Sequence, residues 1–184
     1  MNILYLHGLG SSGQASTATG LAGAGLNVTA PSYQPELFLQ SMQQLRAEIT
    51  HAKPEMIVGT SLGGYYALQL MAETDLPTIA INPCFDPVAL LSKYLQQPAT
   101  NFVTGEPICF SLEMLESFQP LEKAIGLTSK TLLVTGTNDT IIPANAQIAF
   151  FKEHGWPWEE VPWGHRVDDV AWLANRIHQH IQHC

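Results

Sequence analysis

The sequence predicts an α/β fold built on a largely parallel sheet. Short apolar runs alternate with amphipathic stretches along the chain, the pattern of βαβ units. The first apolar run leads through a glycine-rich turn into an Ala-rich segment, which is the order of strand, turn and helix. The length of 184 residues fits one domain, and a hydrophobic content of 46% is enough for one core. We therefore expect a single domain over residues 1–184.

Six apolar runs are predicted to be strands, of which the last is the weakest. They are Asn2–Leu6, Leu26–Ala30, Glu55–Gly59, Pro77–Ile81, Thr131–Thr135 and Trp158–Val161.

Helical patterns follow or separate these strands. We expect helices over Gln14–Ala24, ended by Gly25, and over Leu62–Met71. Helical spacing of apolar residues predicts two more, with Asp168 or Asp169 capping the second. Their apolar faces are Phe38, Met42, Leu45 and Ile49 in one, and Val170, Leu173, Ile177 and Ile181 in the other.

The segment between the fourth and fifth strands is too long for a simple connection. Loops in such units commonly run about two to six residues, whereas this segment extends from Asn82 to Lys130. We predict helices near Asp86–Gln96 and Ser111–Glu122 within it. An insertion at the carboxyl edge of a parallel sheet lies where ligands usually bind. We therefore expect a small helical cap over about residues 83–128 that acts as a partial lid.

Composition excludes several classes of function. Sixteen acidic against eight basic residues give a net charge of −8, which argues against a nucleic-acid partner. No apolar run approaches the roughly 20 residues that span a bilayer, and no basic region precedes the first one. We expect a soluble, cytoplasmic protein with no membrane span. Cys84, Cys109 and Cys184 lack the CxxC spacing of a zinc or redox site, which predicts free thiols.

The pentapeptide Gly59-Thr60-Ser61-Leu62-Gly63 fits the GxSxG nucleophile elbow. In that motif, a sharp turn between a strand and a helix exposes the serine hydroxyl. The motif alone is only moderately specific, but here it joins a strand-like run to a helical one. We therefore predict that Ser61 is a catalytic nucleophile rather than a structural turn serine.

A serine nucleophile needs a base and a carboxylate, expected in the chain order Ser, acid, His. Asp139 follows the fifth predicted strand and His165 follows the sixth, so both lie at the sheet edge that carries Ser61. These two residues are the predicted acid and base. In the alternative interpretation, Asp139 only caps the next helix, and Asp168 or Asp169 is the acid.

An oxyanion hole is the second requirement of this chemistry. The backbone N–H of Leu62, at the start of a helix, is one predicted donor. The other is the N–H of Leu9, in the loop after the first strand. We assign His7 in the same loop a structural role.

Two other motifs indicate alternative sites. Gly8–Gly13 reads GxGxxG, a dinucleotide fingerprint, but the second strand ends in Ala30-Pro31-Ser32 without the acid that binds the ribose. Gln14 replaces the lysine that a phosphate-binding P-loop requires. His180 and His183 have helical spacing but no carboxylate beside them, so we predict no metal site. No organic cofactor is expected either.

Five segments together resemble the small bacterial YqiA-type esterases of the α/β-hydrolase superfamily, over nearly the whole chain. They are HGLGSS, GTSLGGYYA, INPCFDPVALL, GTNDTIIP and the late GH. The resemblance implies a three-layer α/β-hydrolase fold with a minimal, mostly parallel sheet of about six strands and a small cap. It also implies a catalytic triad of Ser61, Asp139 and His165.

The activity that follows is hydrolysis of small-molecule acyl esters through an acyl-enzyme. Leu91, Tyr94, Phe102 and Phe110 in the cap are candidates for an apolar substrate pocket, although packing of the cap would also explain them. An acyl-CoA or other thioesterase with the same triad, and a non-catalytic binding protein on this scaffold, stay open as alternatives. The sequence leaves the oligomeric state open.

Overall fold

The computed structural model describes residues 1–121, 130–153 and 155–184. Within these residues, six parallel strands form one sheet in the order β2-β1-β3-β4-β7-β8, and β5 and β6 form a separate antiparallel pair. The strands are β1 (Asn2–Leu6), β2 (Asn27–Thr29), β3 (Met56–Thr60), β4 (Thr78–Ile81), β5 (Ala99–Thr100), β6 (Pro107–Ile108), β7 (Thr131–Gly136) and β8 (Trp158–Val161).

Helices cover both faces of the sheet. Those in the described residues are α1 (Ser16–Gly23), α2 (Phe38–Ala52), α3 (Leu62–Thr74), α4 (Pro87–Leu91), α5 (Leu112–Glu116), α6 (Ala144–Glu153) and α7 (Val170–Gln182). A 3₁₀ turn, Ser92–Leu95, follows α4 directly.

Alternating residues of each central strand supply the two halves of the core. In β1, Ile3 and Tyr5 pack on the side of α1 and α7, whereas Leu4 and Leu6 pack on the side of α2 and α3. This alternation follows from the two-residue period of a strand. A sheet buried on both faces needs apolar residues at every position, which is why the strands read as continuous apolar runs. The result is three layers of helix, sheet and helix.

The predicted strands agree with the structure to within one residue at each end. The prediction of a mostly parallel sheet is also correct, since every pairing in the six-stranded sheet is parallel. The Asp169 carboxylate accepts a hydrogen bond from the Trp172 N–H (2.8 Å) and so caps α7. The cap of α7 is therefore Asp169 rather than Asp168.

The predictions for the long insertion were less accurate. The helix expected over 86–96 is divided into α4 and a 3₁₀ turn, and the one expected over 111–122 ends at Glu116, with Glu122 outside the described residues. The hairpin of β5 and β6 was not predicted, because two-residue strands leave no periodic pattern. The first helix is also shorter than expected and begins at Ser16. The predicted end of the cap at about 128 lies outside the described residues.

The hairpin of the insertion contacts the loop after β1. The Phe102 N–H donates a hydrogen bond to the Gly10 carbonyl (2.7 Å). Gly10 has a φ of +69°, and a Cβ at this position would lie 2.4 Å from the Thr100 carbonyl oxygen. Only glycine fits this close approach. The insertion is thereby attached to the loop that carries the predicted oxyanion donor Leu9.

The three cysteines are free thiols, as predicted, with Cys84 buried and Cys109 and Cys184 exposed. None of the helices in the described ranges is long and apolar enough to cross a membrane.

Candidate active site

Ser61 stands in a strained turn between β3 and α3. Its φ and ψ are 59° and −122°, a conformation that costs a non-glycine residue about 1–3 kcal/mol. The flanking glycines explain how the turn closes. A Cβ on Gly59 would lie 2.2 Å from the Gly63 carbonyl oxygen, and one on Gly63 would lie 2.1 Å from that of Leu6. The local backbone therefore has the geometry that the GxSxG motif predicts.

The structure brings Ser61, His165 and Asp139 together from three strand ends. The Ser61 Oγ lies 2.9 Å from Nε2 of His165, and Nδ1 of the same ring lies 2.7 Å from Oδ2 of Asp139. The Asp139 side chain is fully buried, whereas that of His165 is 18% exposed. A hydroxyl can thus pass a proton to an imidazole that a buried carboxylate orients.

The Asp139 carboxylate is held as an anion. Burial raises its pKa, but the hydrogen bond from His165 and those from the backbone N–H groups of Ile142 (2.9 Å) and Ile141 (2.7 Å) outweigh burial. The net result is a pKa below the ordinary value for aspartate. Oδ1 accepts the hydrogen bonds from the two backbone N–H groups, and Oδ2 accepts the one from His165. Capping and orientation of the base are therefore compatible in this one residue.

Asn82, at the end of β4, joins the loops that carry the acid and the base. Its side-chain Nδ2 donates to the carbonyls of Gly164 (3.0 Å) and His165 (3.1 Å), and its Oδ1 accepts from the Gly136 N–H (2.7 Å). The residue is completely buried and has a φ of +44°. In the sequence, Asn82 stands out only within the INPCFDPVALL segment of the family resemblance. A polar residue directly after a buried strand, at the edge that carries the site, was the available signal.

The two predicted oxyanion donors lie on the wall of the cavity next to Ser61. Within the described residues, no group accepts a hydrogen bond from the backbone N–H of Leu9 or of Leu62. The neighbouring His7 is buried, and its Nδ1 donates to the Gly8 carbonyl at 2.9 Å. The Tyr33 hydroxyl donates to the His7 carbonyl at 2.7 Å. These bonds fix the backbone of the loop, in line with a structural role for His7.

A cavity of about 360 Å³ opens beside Ser61 and His165. Three of the four residues predicted for the substrate pocket, Leu91, Tyr94 and Phe102, line it. Phe110 does not. It lies behind the cavity wall, where its ring stacks on that of Tyr94 with centroids 5.7 Å apart, and it is buried. Phe110 follows the two-residue strand β6 and lies outside any regular element, so its place in the sequence did not define which way its side chain faces.

Gly13, His180 and His183 belong to the two alternative motifs and have structural partners. A Cβ on Gly13 would lie 2.0 Å from the Ala30 carbonyl oxygen, so this glycine packs on the chain after β2. Nε2 of His180 donates to the Lys130 carbonyl at 2.8 Å, and Nδ1 of His183 to that of Gln179 at 2.6 Å. Gly13, His180 and His183 thus each have a packing or hydrogen-bonding partner within the described chain.

A family model matches residues 2–181 of the chain, and it is described as uncharacterised protein family UPF0227. The chain belongs to this family. Its sequence resemblance to YqiA-type proteins is therefore confirmed over nearly the whole length.

Solved structures with the same fold cover almost the entire UPF0227 chain. An extracellular α/β-hydrolase from a Paenibacillus species is 14% identical, with a TM-score of 0.69 over 97% of this chain and 98% of its own. The esterase domain of a Rhodothermus marinus protein is 19% identical, with a TM-score of 0.64 over 97% and 85%. An esterase from Pyrococcus furiosus is 13% identical, with a TM-score of 0.68 over 99% and 81%. The fold is thus the α/β-hydrolase fold, as predicted.

Proposed function

We propose that this UPF0227 protein is a serine hydrolase that cleaves carboxylic esters. The observation that carries the proposal is the line of hydrogen bonds from Ser61 through His165 to Asp139, at 2.9 and 2.7 Å. It stands at the wall of an open cavity that can admit a small molecule. Two of the similar structures are named esterases, which supports the same class of reaction.

In the first half of the reaction, the Ser61 oxygen attacks the ester carbonyl carbon. Its proton passes to Nε2 of His165, and Asp139 stabilises the imidazolium through the Nδ1–H bond. The carbonyl oxygen takes up the electron pair and becomes an oxyanion. Collapse of this intermediate expels the alcohol, which takes the proton from Nε2, and leaves the acyl group on Ser61.

Water then repeats the sequence on the acyl-enzyme. His165 removes a proton from water, the resulting hydroxide attacks the acyl carbon, and the Ser61 oxygen leaves with the proton from Nε2. The products are one carboxylic acid and one alcohol. No step of this scheme calls on a metal or an organic cofactor.

Oxyanion stabilisation is assigned to the backbone N–H groups of Leu9 and Leu62. Both groups are free of partners in the described chain, and that of Leu62 begins α3, where the helix dipole favours negative charge. Loss of one such donor typically lowers turnover by about 100- to 1,000-fold. We also propose that the insertion over about 83–128 acts as a partial lid, which is supported by the hairpin contact with Gly10.

Hydrolysis of matched oxygen esters and thioesters tests this proposal. We expect the wild-type protein to release acid from 4-nitrophenyl butyrate, and Ser61→Ala to lose that activity with an unchanged melting temperature. Butyryl thioesters of similar leaving-group acidity measure the thioesterase alternative. Hydrolysis of neither class, by a folded protein, would favour a non-catalytic binding role and contradict the proposal.

A further inference from the structure

The cavity beside Ser61 differs in charge from the chain as a whole. Acidic residues outnumber basic ones by 16 to 8 in the sequence. Among the described residues that line the cavity, Lys93 and Arg166 are present and Asp and Glu are absent. The surface that meets a substrate is therefore positive in a protein whose net charge is −8.

Lys93 and Arg166 are also unpaired. Elsewhere in the described chain, Arg46, Lys130 and Arg176 each form an ion pair with a carboxylate. Neither of the two cavity cations forms an ion pair or a hydrogen bond with a described residue. Their charges and N–H donors are thus available to a ligand.

Aromatic rings hold both cations against the cavity wall. The Lys93 Nζ lies 5.1 Å from the centroid of the Tyr94 ring, and the Arg166 guanidinium carbon lies 5.7 Å from that of Phe102. Both rings line the cavity. Cation–π contacts at this distance restrain long side chains without using their hydrogen-bond donors.

We propose that the ester cleaved at Ser61 carries an anionic group, such as a carboxylate, that Lys93 and Arg166 bind in this cavity. This inference rests on the proposed function, because the two cations line the same cavity as Ser61 and His165. Much of the remaining wall is aliphatic, with Leu90, Leu91 and Val103 among its residues. The substrate class is therefore an amphiphilic ester, with an apolar segment and one charged end.

The expected selectivity is moderate because both side chains are exposed. Two opposite unit charges about 4 Å apart in a water-like medium attract by about 1 kcal/mol, which strengthens binding by about fivefold. Salt screens such an interaction, with a Debye length of about 8 Å at physiological ionic strength. The preference for an anionic ester should accordingly weaken as the salt concentration rises.

Two pairs of esters test the proposal and locate the charge. On the acyl side, the 4-nitrophenyl monoester of adipic acid is compared with the 4-nitrophenyl ester of its monoamide. On the alcohol side, the butyrate ester of 4-hydroxybenzoate is compared with that of 4-hydroxybenzamide. Each pair exchanges a carboxylate for a carboxamide of nearly equal size. The readout is the ratio of kcat/KM within a pair, which cancels differences in active protein concentration.

We expect the wild-type ratio to favour the anionic ester in one pair at low salt, and that pair identifies the side of the ester that carries the charge. Lys93→Gln and Arg166→Gln should each lower this ratio about fivefold, and the double variant about 25-fold if the two effects add. Lys152→Gln is the matched control. Lys152 also contacts an aromatic ring, that of Trp158 at 5.6 Å, but it does not line the cavity.

An equal ratio in the wild-type and double-variant proteins, in both pairs, would overturn the inference while leaving ester hydrolysis intact. Hydrolysis of no ester in either pair would overturn the proposed function and this inference with it. A fall of the ratio in Lys152→Gln as large as in the cavity variants would also contradict the inference, because the effect would then not depend on the cavity.

Discussion

The sheet edge that carries Ser61 and the insertion that borders the cavity are built in different ways. The side chains of Asn82 and Asp139 at the edge are buried and hydrogen-bonded. The insertion instead exposes large apolar side chains, with Phe102 at 69% and Leu112 at 64%. The proposed proton transfer therefore depends on hydrogen-bonded groups packed at the sheet edge, whereas the proposed substrate contacts use a surface that is open to solvent.

The largest expected effect comes from breaking the rigid edge at its carboxylate. Asp139→Asn preserves the shape of the side chain but stabilises the wrong tautomer of His165, so kcat should fall by about 10³- to 10⁴-fold. The rate of ester hydrolysis at saturating substrate measures this fall in kcat. Asp169→Ala is the control, because it removes only the cap of α7 and should cost about 1 kcal/mol of stability. A loss of less than tenfold in Asp139→Asn would contradict the assignment of this acid.

The second effect concerns the amide that joins the acid and base loops. Removing it in Asn82→Gly leaves the carbonyls of Gly164 and His165 and the Gly136 N–H without their partner. Misplacement of the base should lower kcat by about 10- to 100-fold. Asn82→Ala should unfold more easily than Asn82→Gly by about 1–2 kcal/mol, because φ is +44° at this position.

Stopped-flow turnover and urea unfolding separate these contributions. If Asn82 acts only on stability, both variants will keep the kcat of the wild type below their melting temperature. That result would reject Asn82 as a positioning residue.

A smaller effect is expected in the insertion. Phe102→Ala removes an exposed ring from the cavity wall, which should raise KM for an apolar ester about three- to tenfold with less change in kcat. Leu112→Ala is the matched control, since Leu112 is similarly exposed in the insertion but does not line the cavity. Equal KM values for the two variants would contradict the prediction that Phe102 contacts the substrate.

The smallest effect is on stability at acidic pH. The pKa of Asp139 is lowered in the folded protein, so its charge contributes stability above the unfolded-state pKa of about 4. This contribution is lost as the pH falls through the folded-state pKa. The difference in free energy of unfolding between wild type and Asp139→Asn should therefore narrow from pH 6 to pH 3. A difference that widens on acidification would contradict the direction of the shift.

The sequence predicted the sheet edge well and the insertion poorly, for physical reasons. Buried strands need apolar residues at consecutive positions, and parallel strands place their ends together, so Ser61, Asp139 and His165 could be grouped from chain order. The hydrogen bonds of Asn82 to the acid and base loops could not be predicted, because a hydrogen-bond network through loops leaves no periodic pattern in the sequence. The sequence also could not show that Phe110 does not line the cavity, because side chains of the insertion follow short irregular elements, where spacing does not define a face.

Covalent labelling tests the central claim most directly. We expect a fluorophosphonate to modify the wild-type protein once, with mass spectrometry locating the adduct on Ser61, and Ser61→Ala to stay unmodified. Ser11→Ala, which changes another serine of the same cavity, should be labelled like the wild type. An adduct on a different residue, or equal labelling of Ser61→Ala, would contradict the assignment of Ser61 as the nucleophile.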